Sequence, residues 1–120
     1  MRALLVGICI WLSAVVCFAA TPFDGTWTAQ AGNENLTITL ITNEGKVTGK
    51  IALAGGDETP IDWGMVKGDL ITFKVMRLFQ DVKRPFIYLG RIEGDQIALG
   101  RRPEDLSLGA LREFVATRVK

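Results

Sequence analysis

The sequence contains no histidine, and its two cysteines, Cys9 and Cys17, both fall in the apolar N-terminal stretch. Without histidine the chain lacks the commonest general base at neutral pH and the commonest transition-metal ligand. Once the N-terminal stretch is removed there is no thiol left. That excludes a disulfide, a thiolate nucleophile and a cysteine metal ligand. An excess of one charge is also missing. Setting Arg2 aside leaves 13 basic and 13 acidic residues, a net charge of 0. No basic stripe suits nucleic acid and no polybasic run suits anionic lipid. Glycine-rich phosphate loops, nucleophile elbows and paired carboxylates are likewise missing. Asp57, Asp69 and Asp95 sit in turn sequences, where their side chains serve the turn. These absences predict a protein that is not an enzyme and holds no cofactor and no metal.

What is present begins with a leader. Arg2 is followed by an apolar run from Ala3 to Phe18 and by the small residues Ala19 and Ala20. This reads as a secretory signal peptide over residues 1–19, cleaved after Ala19 or Ala20, with a single domain over 20–120. A retained membrane anchor is the alternative, since the run approaches spanning length. Val16, ahead of Cys17, is too bulky for a lipoprotein signal. The expected location is secreted or periplasmic, with no membrane contact after cleavage. A domain of about 100 residues buries somewhat under about 70% of its unfolded surface, enough for one core without disulfides.

From Trp27 onward, polarity alternates with a period of two. The turn signals divide the chain into eight strands, at 25–31, 36–42, 46–53, 59–66, 70–79, 85–93, 96–101 and 111–119. Asn43-Glu44-Gly45 is a tight hairpin turn, and Gln80–Arg84 reads as a polar loop. The connection Arg102–Gly109 has room for a helical turn. Residues 65–73 echo residues 91–99 around Gly68-Asp69 and Gly94-Asp95, a repeated hairpin chemistry. Short, consecutive hairpins predict an all-β fold, an eight-stranded antiparallel up-and-down barrel preceded by a signal peptide. Trp27 on the first strand and Arg118 on the last are expected to meet where the barrel closes, guanidinium over indole.

Gly25-x-Trp27 with Arg118 resembles the calycin barrels: lipocalins, fatty-acid-binding proteins and avidins. Phe23-Asp24-Gly25-Thr26-Trp27 is similar to the start of fatty-acid-binding proteins, but only Gly32-Asn33-Glu34 stands where their helical lid would come. Val47-Thr48-Gly49 and Ala116-Thr117-Arg118-Val119 look closer to the avidins. The avidin biotin site does not carry over, with Ala29, Asn33 and Lys50-Ile51 at its polar and tyrosine positions. The pattern also resembles small secreted barrel domains of bacteria. The resemblance implies the fold and leaves the ligand open.

Strand parity supplies the candidate site. Phe73, Val75 and Arg77 share one face of the fifth strand, so a lumenal Phe73 carries Arg77 inward with it. Such an arginine is either a rim cation paired with a carboxylate or the holder of a ligand's acidic group. Tyr88 offers a ring and a hydroxyl. Trp63 is either core or a stacking platform at the barrel mouth. Lys83-Arg84 and Arg101-Arg102 read as solvated loops, which would favour an anionic ligand if they converged. Gly49 and Gly90 predict a cavity bounded by Val47, Ile51, Phe73, Val75 and Tyr88. The expected ligand-binding residues are therefore Phe73, Arg77, Tyr88 and Trp63, for a small amphipathic or acidic molecule in the lumen or mouth. The alternative is a filled barrel serving as an interaction or inhibitor module through its loops or outer face.

Overall fold

The computed structural model describes residues 22–54 and 56–120, with Phe79 described by its backbone alone. The N-terminal stretch read as a signal peptide, with Cys9 and Cys17, lies outside the described residues. Eight strands succeed one another: β1 Gly25–Ala31, β2 Glu34–Asn43, β3 Lys46–Leu53, β4 Glu58–Lys67, β5 Leu70–Phe79, β6 Val82–Glu93, β7 Gln96–Pro103 and β8 Arg112–Arg118. Each pairs antiparallel with the next, and β8 returns to β1, closing an up-and-down barrel. The only helical piece among the described residues is a short 3-10 turn at Leu106–Leu108, inside the connection expected to hold one.

One loop is shorter than the sequence suggests. Val82, Lys83 and Arg84 belong to β6, where they pair with Phe79, Leu78 and Arg77. The reversal is made at Gln80 and Asp81, both at positive φ (56° and 66°). Two consecutive left-handed residues form the tight turn whose twist matches a hairpin. The polar composition of this segment marks an exposed hairpin tip, not a loop.

One end of the barrel is plugged by its own N-terminal segment. Trp27 lies opposite Arg118 in the β1–β8 register, and the guanidinium carbon sits 4.3 Å from the indole centroid. The indole is fully buried, and its Nε1–H donates to the Phe23 carbonyl at 3.0 Å. Arg118 Nη1 donates to the Asp24 carbonyl at 2.8 Å, Nη2 to the Pro22 carbonyl, and Nε to Asp95 Oδ1 at 3.1 Å. Asp24 Oδ1 in turn accepts from the backbone N–H and the hydroxyl of Thr42, each at 2.7 Å. One arginine thus joins the segment before β1, the first strand and the β6–β7 turn. The Phe23 ring is buried with them.

The interior is filled by inward-facing side chains of the strands. Val47, Ile51, Phe73, Val75 and Tyr88 all point inward and are buried, as parity predicts. Phe73 and Tyr88 stack at 4.8 Å between centroids, and Phe114 meets Tyr88 edge-on at 6.4 Å. The space expected beside Gly49 and Gly90 is occupied. A Cβ on Gly90 would stand 2.7 Å from Leu99 Cδ2 and 2.8 Å from Ile97 Cγ2. A Cβ on Gly49 would stand 1.9 Å from the Thr39 carbonyl oxygen. These glycines mark close approach of neighbours, not a void.

Trp63 departs from strict alternation. Ile61 is buried, and parity would take Trp63 inward with it. The β4–β5 register shifts between Ile61 and Trp63. Asp62 and Trp63 are both exposed and Gly64 is turned in. A β-bulge inserts one extra residue and reverses the facing of the residues beyond it. Trp63 is therefore neither core nor lumenal.

Candidate functional site

At the end of the barrel opposite the Trp27 plug, the end of β1, the start of β2, the end of β5, the start of β6, the end of β7 and the start of β8 border one cavity. The cavity at this mouth is about 490 Å³, walled by Ala31, Phe86, Leu108, Ala110 and Phe114. Three arginines line it: Arg77 from β5, Arg101 from β7 and Arg112 from β8, with Glu34 and Glu113 as the acids. Each arginine arrives by parity. Arg77 comes after Phe73 and Val75, Arg101 comes after Ile97 and Leu99, and Arg112 precedes Phe114 and Ala116 on the inward face.

Glu34 holds two of these cations together. Its Oε2 accepts from Arg77 Nη2 at 2.6 Å and its Oε1 accepts from Arg101 Nη1 at 3.0 Å. The arginine side chains are 17% and 11% exposed, against 35% for Glu34, so the cations are the sunken partners. Their aromatic surroundings are also fixed. Arg77 lies over Phe86 at 5.5 Å, and Arg101 lies over Tyr88 and Phe114 at 6.0 and 5.9 Å. Contacts of this kind hold a guanidinium by its face and leave its N–H edge for an acceptor.

Burial works to raise the Glu34 carboxyl pKa. The hydrogen bonds and charges of Arg77 and Arg101 outweigh it and hold the group below its ordinary value. Burial likewise opposes the Arg101 charge, and the neighbouring Tyr88 hydroxyl and Glu34 more than offset it, so the pKa is raised. The Tyr88 hydroxyl is buried beside this guanidinium and makes no hydrogen bond of standard geometry.

Of the residues singled out in the sequence, Phe73, Arg77 and Tyr88 fall on one path from core to mouth. Phe73 lies in the filled core, Tyr88 below the mouth and Arg77 at it. Trp63 stands apart, on the outer face with Asp62, Lys74, Ile87 and Glu104. The pairing of Arg77 with a carboxylate matches one of the two roles expected of it. Sequence reasoning missed Glu34, Phe86 and Phe114, and it read Arg101 as part of a solvated loop, whereas Arg101 is a largely buried residue of β7 paired with Glu34. Arg101 carried a usable signal, its even spacing from Ile97 and Leu99. Glu34 carried none, because Gly32-Asn33-Glu34 reads as turn chemistry. Arg102 faces away from Arg101 and donates to the Pro103 carbonyl at 3.1 Å.

A second hollow, about 590 Å³, lies on the outer side of β5–β8, with Leu70, Leu89, Leu111 and Val115 in its lining. Its arginine, Arg91, is already paired with Asp69 at 2.8 Å. Among the described residues no cluster of three metal-ligating side chains is found. No family model matches this chain, and neither does any curated protein.

Proposed function

We propose that this chain is an exported, non-catalytic barrel of calycin type that binds a small amphipathic acid at its mouth. The observation that carries the reading is the pair of sunken arginines, Arg77 and Arg101, sharing a single carboxylate inside an apolar-walled cavity. A site with apolar walls and a few convergent polar groups is the usual form of a small-molecule site. The filled interior favours the mouth over the lumen: the acidic group of the ligand meets the arginines, and its apolar part lies on Phe86, Phe114 and Leu108.

Calorimetry with decanoate and decan-1-ol tests this. Charge-assisted hydrogen bonds of this kind are worth about ten- to a hundredfold in affinity. Arg77→Gln should weaken decanoate by that factor and leave decan-1-ol unchanged. Equal binding of both molecules by both proteins would remove Arg77 from the site.

The export half of the proposal rests on the leader. The mature protein should begin at Ala20 or Thr21. N-terminal sequencing of extracellular or periplasmic material that returned Met1 would refute cleavage.

A protein-interaction module is the second reading. It is favoured by the apolar outer hollow at Leu70, Leu89, Leu111 and Val115, all of them more than one-third exposed.

A further inference from the structure

The geometry of the mouth bears on which acid it takes. We infer that it is built for a carboxylate, and that Glu34 occupies the ligand's own place until an acid displaces it. This rests on the mouth-binding reading of the barrel. Each oxygen of the Glu34 carboxylate goes to a different guanidinium, at 2.6 and 3.0 Å. The separation of the two arginines therefore fits the two oxygens of one planar group. A ligand carboxylate entering from solvent would find the same two donors.

Three features make Glu34 the exchangeable partner. It is the most exposed of the three side chains. It stands at the first position of β2, next to the exposed turn residues Gly32 and Asn33. The arginines, in contrast, are positioned by Phe86, Tyr88 and Phe114 as well as by Glu34. Loss of Glu34 leaves those aromatic contacts in place, so the binding geometry survives the exchange. Displacing one monoanion by another keeps a single negative charge between the two guanidiniums, while Glu34 carries its own charge out to solvent. That spares the protein an uncompensated buried charge in either state.

Such an internal competitor lowers the apparent affinity of an acid, because the open state is only a fraction of the population. Removing its charge should raise that affinity. Glu34→Gln is expected to bind decanoate about ten- to a hundredfold more tightly than the wild type. Decan-1-ol should bind equally to both, and the gain should vanish when Arg101→Gln is added. Decyl sulfate, with the same tail and a tetrahedral head, should bind less tightly than decanoate.

If the wild type binds decanoate better than decan-1-ol while Glu34→Gln binds it no more tightly, the displacement is wrong and the mouth-binding reading stands. A stronger response to decyl sulfate than to decanoate overturns the assignment to carboxylates. No preference for decanoate over decan-1-ol in either protein overturns both readings. Should Glu34→Gln fail to fold, the side-chain carboxyl carbon of Glu34 in the wild type gives the same answer by NMR. Decanoate should move its resonance toward that of a solvent-exposed glutamate, and an unmoved resonance in the bound protein refutes displacement.

Discussion

Trp27→Ala should cost about 3–5 kcal/mol of folding stability, the usual range for deleting a buried large aromatic. The indole is fully buried at the plugged end and Arg118 lies across it at 4.3 Å. Deletion leaves a cavity, removes the ring from beneath the guanidinium and deprives the Phe23 carbonyl of its donor at 3.0 Å. A domain of this size has about 5–15 kcal/mol in all, so the variant would sit near the edge of folding. Urea denaturation of both proteins reads the difference from the shift in midpoint. A loss below about 1 kcal/mol would mean that the indole does not hold the closure.

Gly49→Ala is the second large effect. The residue has φ of 136°, a conformation that side chains rarely adopt, and an added Cβ would fall 1.9 Å from the Thr39 carbonyl oxygen. Backbone strain of this kind costs about 1–3 kcal/mol, and overpacking costs about 1–3 kcal/mol more. The expected loss is about 2–6 kcal/mol. Gly68→Ala separates the two contributions. That residue also has positive φ (64°), yet a Cβ there meets nothing within 4 Å, so it should lose only about 1 kcal/mol, from conformation alone. Equal losses at the two positions would show that β2 yields easily and that the close approach at Gly49 is not structural.

The architecture was legible because its signals are local. Alternation such as Leu36, Ile38, Leu40 against Thr37, Thr39 fixes both the strand and its buried face, and the structure buries those three leucine and isoleucine side chains. The closure was legible for a related reason, since a tryptophan and an arginine at the two ends of a run of strands have one place to meet. Parity also carried Arg77 to the mouth. It failed at Trp63 because a bulge has no mark of its own in the sequence Ile61-Asp62-Trp63-Gly64. It failed at Gly49 and Gly90 for a different reason. A missing side chain can mean space or close approach, and only the neighbours decide which. Leu99 and Ile97 decide it for Gly90, from a strand that pairs with β6 in a register the sequence does not state. The same limit hid the site's carboxylate. Glu34 meets partners 43 and 67 residues away in the chain, and no local pattern reports contacts of that range.

The mouth reading and the outer-face reading place a ligand at opposite surfaces of the same strands, so a residue-resolved titration decides between them. Decanoate added to isotope-labelled protein should move the backbone resonances of Glu34, Arg77, Phe86, Arg101 and Phe114, in a saturable way. Those of Trp63 and Met65 on the outer face of β4 should stay in place. Shifts gathered instead around Leu70, Leu89 and Val115, or no saturable shift anywhere, would contradict a carboxylate site between Arg77 and Arg101.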